Sequence, residues 1–467
     1  MAHILAFDMG KTNLRLTAVA LDGAVAQVWR AQNFRSNSSP YLSLATNRVW
    51  DWMMGVLSEA ARQFDVTHIC VATHGATAAL VHQDIKEHEH GLILPVMDYE
   101  WEGVREFDGA YNALRPLFSE TYSPSLPYGL NLARQLYWLS KSFPDKFSLT
   151  QKILPYAQYW TWLLSDVMAC EISAIGCHTD LWSPINNDWS SLVDKLDWRE
   201  KFPDMAPAWS SVGVVLPSIA EQTGLNPDCC VLTGVHDSNA SYARFHSFRK
   251  ELRPTVVSTG TWVVTMHPHG AMSVVDEDRD MLANVDVTGQ PVACARFMGG
   301  REYADICARF GCEPGAQCSR EEIQIAVNAG AMALPDYSDG SGPYGGQPTE
   351  IIGSAGSGLA ITHLYAALMI DLELDLLDVR GPVVIEGSFA QNEMLCDLIA
   401  SLRPSCVVSR LANGDGIAQG CAVLTSWENR SLMEPELVAS KDLPIDGLEI
   451  YRESWRSRCE ARRLSHA

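Results

Sequence analysis

The sequence lacks the features of membrane and nucleic-acid-binding proteins. Its 467 residues include no apolar run close to the roughly 20 residues that a membrane-spanning helix needs. Lys and Arg (35) are outnumbered by Asp and Glu (56), which gives a net charge of −21. This balance argues against a nucleic-acid or anionic-membrane surface. ATP can still bind such a protein through backbone amides and Mg²⁺.

A disulfide or zinc framework is also missing. The 13 cysteines form no C-x-x-C pair, and most lie among apolar residues, so we expect reduced core thiols. The chain begins M-A-H-I-L-A-F-D, with no basic segment and no long apolar segment. No secretory signal is therefore predicted, and the expected location is the cytoplasm.

The length and composition favour two folded domains. A chain of 467 residues is too long for one ordinary core, and 47% hydrophobic residues are typical of a folded soluble protein. No coiled coil or apolar patch can be recognised, which leaves the oligomeric state open, with a homodimer as one alternative.

The most informative stretch is V-L-T-G-V-H-D-S-N-A-S-Y-A-R at residues 231–244. An apolar run ends in a glycine, a His-Asp pair follows, and helix-compatible residues begin. This pattern predicts a buried strand, a turn and the start of a helix, with Asp237 at the turn. Our hypothesis is that Asp237 is a general base that faces a bound nucleotide.

The N-terminus predicts a hairpin with a polar turn. Residues 3–7 and 14–19 have the pattern of strands, and residues 8–13 (D-M-G-K-T-N) form the turn. The G-K-T sequence is not a P-loop, because Leu5 stands where that motif needs a glycine and a strand follows in place of a helix. The turn can hold phosphate by backbone amides, and Asp8 can hold a metal ion through water.

The second half repeats this design. Residues 255–266 predict a strand, the turn S-T-G-T and a second strand, and a strand at residues 382–386 runs into G-S-F-A-Q-N. We expect two domains, each beginning with a hairpin whose turn suits phosphate. The charged tail up to Ala467 is predicted to be a surface element.

Other polar residues follow apolar segments in the first half. A strand at residues 67–73 leads into His74, and a strand predicted at residues 92–99 ends in Asp98 and Tyr99. Gln158 is a polar exception in an aromatic helical stretch. Each could contact a polar ligand, although a structural role is about as common for an isolated histidine.

Small-residue turns and lone carboxylates at strand ends, in an acidic chain, favour a bound nucleotide and phosphoryl transfer. That reaction needs Mg²⁺, oriented donors on the phosphates and a group that accepts the proton of the acceptor hydroxyl.

Four motifs, in the same order and across nearly the whole chain, resemble those of the FGGY carbohydrate kinases. This family belongs to the actin, sugar-kinase and heat-shock ATPase fold group. The second and third motifs are the most specific and are closest to the L-fuculokinase and L-rhamnulokinase branch. The motifs are F-D-M-G-K-T-N-L-R (7–15), G-V-H-D-S-N-A (234–240), S-T-G-T-W (258–262) and E-G-S-F-A-Q-N (386–392).

The resemblance implies two ribonuclease-H-like α/β domains with a cleft between them: a sugar-binding domain at 1–245 with the catalytic Asp, and a nucleotide-binding domain at 246–467. It implies ATP and Mg²⁺ as cofactors, Asp237 as the base and Asp8 as the metal residue. The implied nucleotide-binding residues are Gly10, Lys11, Thr12, Asn13, Thr259, Gly260, Thr261, Gly387, Gln391 and Asn392. The sugar-side candidates are His74, Asp98, Tyr99, Gln158 and His236.

Three functions stay open at this point. The first is an ATP-dependent kinase of a ketose or deoxyketose such as L-fuculose or L-rhamnulose. The second is a kinase of a pentulose or polyol in the same family. The third is a non-catalytic nucleotide-binding regulator of the same fold. In each case the partners are small molecules, with no nucleic acid and no membrane.

Overall fold

The computed structural model describes residues 2–37, 40–85, 89–338, 340–353, 357–412 and 415–466. The chain divides into two compact units. Unit 1 consists of Met1–Arg249, Ala283–Pro291 and Asp415–Glu434, and unit 2 of Lys250–Leu282, Val292–Gly414 and Pro435–Ala467. Unit 1 therefore extends past the boundary predicted after residue 245 and includes two segments from the second half of the chain.

The elements are numbered in chain order. The strands are β1 (Ala2–Met9), β2 (Asn13–Ala20), β3 (Val25–Gln32), β4 (Arg35–Ser36), β5 (Ser43–Leu44), β6 (Asp65–Thr73), β7 (Ala78–Val81), β8 (Lys152–Pro155), β9 (Trp182–Ser183), β10 (Asp188–Trp189), β11 (Ser211–Val214), β12 (Cys230–Leu232), β13 (Val235–His236), β14 (Thr255–Thr259), β15 (Val263–His267), β16 (Leu282–Val285), β17 (Pro291–Phe297), β18 (Met332–Leu334), β19 (Glu350–Ile352), β20 (Val383–Gly387), β21 (Val408–Leu411) and β22 (Leu437–Ala439). The helices are α1 (Thr46–Gln63), α2 (Asp108–Leu114), α3 (Phe118–Thr121), α4 (Leu132–Ser142), α5 (Pro144–Ser148), α6 (Tyr156–Ser165), α7 (Ile172–Ile175), α8 (Ser191–Lys195), α9 (Pro217–Thr223), α10 (Asp237–Ala243), α11 (Gly299–Phe310), α12 (Arg320–Ala329), α13 (Gly358–Leu376), α14 (Glu393–Leu402), α15 (Gly416–Thr425) and α16 (Leu448–His466).

The main sheet of unit 1 has the strand order β11-β12-β6-β1-β2-β3. The predicted N-terminal hairpin is confirmed, because β1 and β2 pair antiparallel. Strand β6 lies parallel to β1, and both β12 and β13 lie parallel to β6. Ile4, Leu5, Ala6 and Phe7 on β1 are all buried, as expected for a central strand that is covered on both faces.

Six strands within unit 2 follow the same plan, in the order β17-β15-β14-β20-β21-β22. Strands β14 and β15 form the predicted second hairpin, β20 lies parallel to β14, and β21 lies parallel to β20. The expected fold class, two α/β domains of the ribonuclease-H-like type, is confirmed.

The helices cover these sheets with apolar faces. On α1, Val49, Met53, Val56 and Ala60 are buried, a spacing that places them on one side of the helix. Helix α13 is buried along almost its whole length. No helix in the described part of the chain is both long and apolar enough to cross a bilayer.

The strand predicted at residues 92–99 is wrong. This segment makes only isolated bridges, from Leu92 to Val81 and from Met97 to Ser43. Pro95 lies within it and has no N–H for a ladder hydrogen bond. The segment ends in a turn in which the Asp98 carboxylate accepts a hydrogen bond of 2.9 Å from the Glu100 N–H.

The prediction of a surface tail is also wrong for α16. Trp455 is fully buried, and its indole N–H donates to the carbonyl of Ala333 over 2.8 Å. Arg452 forms an ion pair of 2.6 Å with the buried Asp371 of α13. The helix therefore belongs to the core of unit 2, and Arg452 and Arg456 on it form ion pairs with Asp371.

Replacing the buried tryptophan tests this packing. Trp455→Ala should lower the free energy of unfolding by about 3–5 kcal/mol, because it leaves a cavity in the core. Ile450→Ala on the same helix is the matched control, since Ile450 is 74% exposed and should cost less than about 0.5 kcal/mol. Denaturant unfolding measures both, and equal effects would contradict the packing of α16.

Candidate active site

The register of unit 1 aligns three strand ends. Thr73 at the end of β6 lies opposite Met9 of β1 and opposite His236 of β13. The residues that follow are Gly10, His74 and Asp237, so three motifs far apart in the sequence meet along one edge of the sheet. Strand ends of a parallel sheet are common positions for ligand sites.

A glycine break places Asp237 at this edge. Strand β12 ends at Leu232 and β13 begins at Val235; between them Gly234 has a φ of +88°, a conformation that favours glycine. The amide of Gln158 donates to the carbonyl of Thr233 over 3.0 Å. Gln158 is fully buried, and its contact with a ligand stays a prediction.

Asp237 carries a partly exposed carboxylate. Its side chain is 25% exposed, and Oδ1 accepts a hydrogen bond of 2.6 Å from the Ser238 N–H. Burial raises the pKa of Asp237 to about 6. A carboxylate with a pKa near neutrality and an open side is suited to accepting a proton.

His236 lies against Asp237 as a neutral side chain. Its Nε2 is 3.3 Å from Oδ1 of Asp237, and its Nδ1 is 3.4 Å from the side-chain amide nitrogen of Asn239. Burial lowers the pKa of His236 to about 4. Gly75 makes room for this ring, because a Cβ there would lie 2.8 Å from Nε2.

Four further predicted residues, His74, Tyr99, Lys11 and Asp98, form a cluster in unit 1. The ring of Tyr99 lies 5.4 Å from that of His74 and 4.2 Å from the Lys11 ammonium. Lys11 also forms an ion pair with Asp98. Lys11 was predicted as a phosphate ligand, and its contacts in the structure are with Asp98 and Tyr99, two of the sugar-side candidates. Burial lowers the pKa of His74 to about 4 and that of Lys11 to about 8.

Asp8 belongs to a group of charges that the sequence did not reveal. Arg15 lies opposite it in the hairpin register and donates both to Asp8 (2.7 Å) and to Asp415 (2.8 Å). Burial, together with the nearby Asp237 and Asp415, raises the pKa of Asp8 to about 6 although Arg15 opposes the shift. Asp415 caps α15, and nothing in the local sequence connects it with a residue 400 positions earlier.

Asp8 suits a metal ion that arrives with a nucleotide. Among the residues that the structure describes, no three His, Cys, Asp or Glu side chains cluster as a metal site. Mg²⁺ usually keeps several waters and is held by one or two carboxylates plus substrate phosphates. The carboxylate of Asp8 is 20% exposed and fits that manner of binding.

The other predicted residues of the first turn are more open. Thr12 and Asn13 are exposed, and the Asn13 amide donates to the Thr12 hydroxyl over 3.0 Å. The carbonyl of Gly10 accepts a bond of 2.8 Å from the Asn33 side chain. The bond from Asn33 ties the backbone of the turn between β1 and β2 to the residue that follows β3.

The polar turns of unit 2 are joined through Thr259. It lies opposite Gly387 in the parallel register of β14 and β20. Its hydroxyl donates to the Glu386 carbonyl and accepts from the Phe389 N–H over 2.9 Å. Gly387 has a φ of +83°, and a Cβ there would lie 1.9 Å from the Thr259 carbonyl oxygen. Thr259 therefore holds the two turns together, whereas Gly260 and Thr261 are exposed.

Two neighbours of this hairpin turn were not predicted. A Cβ at Gly300, in the first turn of α11, would lie only 2.0 Å from the carbonyl oxygen of Gly260. The guanidinium of Arg296 lies 4.7 Å from the Trp262 ring and donates to Asp280 over 2.7 Å. The sequence shows Gly300 only as part of a glycine pair before a helix, and Arg296 only as one residue of a strand.

A cavity of about 790 Å³ lies beside this turn in unit 2. Its size suits a nucleoside or a similar small molecule. Gln391 and Asn392 both line it; Asn392 also caps α14 and bonds to His363 over 2.9 Å. The cavity is lined by Gly300, Tyr303, Pro314, Gly315, Ala316, Gln317, Cys318, Ser388, Phe389, Gln391, Asn392, Glu393, Met394 and Arg410.

The chain matches the FGGY family of carbohydrate kinases, N-terminal domain, over residues 3–243, and carbohydrate kinase FGGY, C-terminal domain, over residues 251–433. It is similar to the crystal structure of a carbohydrate kinase from Novosphingobium aromaticivorans, with 34% identity, a TM-score of 0.89 and 98% of both chains covered. No curated protein matches the chain.

More distant structures share the fold. A ligand-bound xylulose kinase from Lactobacillus acidophilus has 11% identity and a TM-score of 0.81, covering 100% of this chain and 99% of its own. A glycerol kinase from Plasmodium falciparum with ADP has 12% identity and a TM-score of 0.77, covering 99% and 98%. These names do not single out the L-fuculokinase and L-rhamnulokinase branch.

The fold and these matches define the class of protein, a two-domain sugar phosphotransferase. The chain belongs to the FGGY family of carbohydrate kinases and is an ATP-dependent carbohydrate kinase.

The contact of Gly300 with the hairpin turn yields a prediction. Gly300→Ala should raise the KM for ATP at least about tenfold, because the new methyl group must displace the Gly260 carbonyl, and displacements of this kind near a site are costly. Gly315→Ala is the matched control, since it lines the same cavity and a Cβ there meets nothing within 4 Å. Initial-rate kinetics measure both, and equal KM values would show that the turn does not need this contact.

Proposed function

We propose that the protein transfers the γ-phosphoryl group of ATP to a hydroxyl of a ketose or deoxyketose, such as L-fuculose or L-rhamnulose. The observation that carries this proposal is the carboxylate of Asp237. It is partly open, fixed at a strand end and given a raised pKa by burial. These properties support its role as the general base.

The proposed reaction needs one proton transfer in unit 1. Asp237 takes the proton of the sugar hydroxyl while that oxygen forms a bond to the γ-phosphorus, and the bond from this phosphorus to the ADP oxygen breaks. The proposed sugar contacts are His74, Asp98, Tyr99, Gln158 and His236. Of these, His236 lies 3.3 Å from the Asp237 carboxylate, and the ring of His74 lies 5.4 Å from that of Tyr99. Both histidines are neutral near pH 7 because burial lowers their pKa to about 4, so neither of them lowers the pKa of Asp237.

The remaining assignments are also proposals. The turn at Gly10, Thr12 and Asn13 approaches the transferring phosphate through backbone amides. Mg²⁺ would neutralise charge on the phosphates, and Asp8 would hold it through water. In unit 2, Gly260 and Thr261 serve the nucleotide phosphates, and Gly387, Gln391 and Asn392 lie near the nucleoside; Thr259 acts by holding the two turns together.

The branch within the family rests on the motif forms alone. A pentulose or polyol kinase of the same family remains the alternative, and a kinetic panel of ketoses, aldoses and polyols separates the two. We also propose a cytoplasmic location, because all 13 cysteines are free thiols. A homodimer stays a hypothesis that size-exclusion chromatography with light scattering decides.

The role of Asp237 is tested by an isosteric change. Asp237→Asn should lower kcat at least about 100-fold, the usual scale for a lost general base, while ATP binding by calorimetry stays the same. Asp228→Asn, an exposed aspartate two residues before β12, is the control and should be unchanged. Near-normal turnover by Asp237→Asn would exclude it as the base.

The raised pKa predicts the pH dependence. Asp237 must be ionised to act, so kcat/KM should fall as the pH drops through about 6, with Asp8 protonating in the same range. A raised folded-state pKa means that protonation of these groups favours the folded state, so they do not cause unfolding in this window. A profile that stays flat to about pH 5, with circular dichroism unchanged, would contradict the assignment.

A further inference from the structure

We propose that an ion-pair network of Lys11, Arg35, Asp98 and Glu100 restricts the sugar site to neutral acceptors and excludes sugar acids such as aldonates. This inference rests on the proposed function and adds the charge class of the substrate. It also assigns Lys11 to the sugar side rather than to the phosphates.

The charges of the four side chains balance, because each cation lies close to both carboxylates. Lys11 contacts Asp98 and lies 3.5 Å from Glu100, and Arg35 lies 3.3 Å from Asp98 and 3.0 Å from Glu100. Two cations thus face two carboxylates. The Asp98 side chain is fully buried and that of Lys11 is 12% exposed, so this pairing is little screened by solvent.

The network adjoins the proposed site of proton transfer. The Lys11 ammonium lies 4.2 Å from the Tyr99 ring, and that ring lies 5.4 Å from the ring of His74. His74 follows Thr73, which lies opposite His236 in the strand register, so Tyr99 lies by the sheet edge that carries Asp237. A sugar held against Tyr99 and Asp237 would therefore meet the Lys11 side of the network.

In the described part of unit 1, Lys11 and Arg35 of the network and Arg15 beside Asp8 are each within 3.5 Å of protein carboxylates. A carboxylate on the substrate would have to compete with these protein carboxylates for any of the three cations. Drawing Lys11 away would weaken the pairing of the buried Asp98, which is unfavourable for a charge out of water. The substrate carboxylate would also be repelled by Asp237. Hydroxyl groups face neither penalty.

A substrate panel tests the exclusion. With the full-length protein and Mg-ATP, ADP release is measured for L-fuculose, L-rhamnulose, D-xylulose and glycerol against D-gluconate. The best neutral acceptor should exceed D-gluconate in kcat/KM at least about 100-fold, the scale of uncompensated like-charge contacts. If D-gluconate equals or exceeds every neutral acceptor, the inference is overturned while the kinase function stands. If no acceptor raises ADP release, the proposed function fails and takes the inference with it.

Variants then connect the exclusion with the network. Asp98→Asn removes the buried carboxylate that pairs with Lys11. Glu100→Gln removes the second carboxylate that pairs with Lys11 and Arg35, and it should disturb folding less because the Glu100 side chain is 44% exposed. For each variant, the ratio of kcat/KM for the best neutral acceptor to kcat/KM for D-gluconate should fall about tenfold, because kcat/KM for D-gluconate rises. Glu102→Gln, an exposed acid outside the network, is the matched control and should leave the ratio unchanged. An unchanged ratio in a folded Glu100→Gln protein would overturn the role of the network.

Discussion

The parallel pairing of a hairpin strand with a later strand is the constraint on which both units depend. In unit 1, β1 and β6 pair so that Met9 lies opposite Thr73, and in unit 2, β14 and β20 pair so that Thr259 lies opposite Gly387. This register brings each hairpin turn beside the residues that follow the later strand. The hydrogen bonds between parallel strands set which of their residues lie side by side. The hairpin turn is therefore close in space to residues that are distant from it in sequence. The positions of the polar groups follow from the sheets rather than from the loops.

Close contacts between backbone segments then require glycine at several positions around the turns and helices near the sheet edges. Gly387 packs against the carbonyl oxygen of Thr259, and Gly300 packs against that of Gly260; a Cβ at either glycine would collide with the oxygen. In unit 1, a Cβ at Gly420 of α15 would lie 1.7 Å from the carbonyl oxygen of Ala240 on α10, the helix that Asp237 begins. The late segment Asp415–Glu434 thus supports the helix of Asp237 and, through Asp415, orients Arg15 near Asp8.

The local sequence predicted the elements that carry strong periodicity and the polar turns between them. Both hairpins and the strand–turn–helix at Asp237 follow from alternation, glycine and the step into helix-forming residues. The network of Lys11 with Asp98 and the bridge from Arg15 to Asp415 could not be predicted, because ion pairs between residues 87 and 400 positions apart leave no local pattern. The burial of α16 was missed for a related reason: its charged residues suggest a surface, whereas Arg452 and Arg456 pair with the buried Asp371 in the folded unit.

Phosphoryl transfer to a sugar hydroxyl is the central claim of this account, and ³¹P NMR of the reaction products tests it most directly. Incubation of the protein with Mg-ATP and a neutral ketose should yield a sugar phosphomonoester resonance in an amount equal to the ADP formed. That stoichiometry means that the phosphoryl group goes to a sugar hydroxyl and not to water. Formation of ADP with only inorganic phosphate, for every sugar supplied, would show that water is the acceptor and would contradict the account.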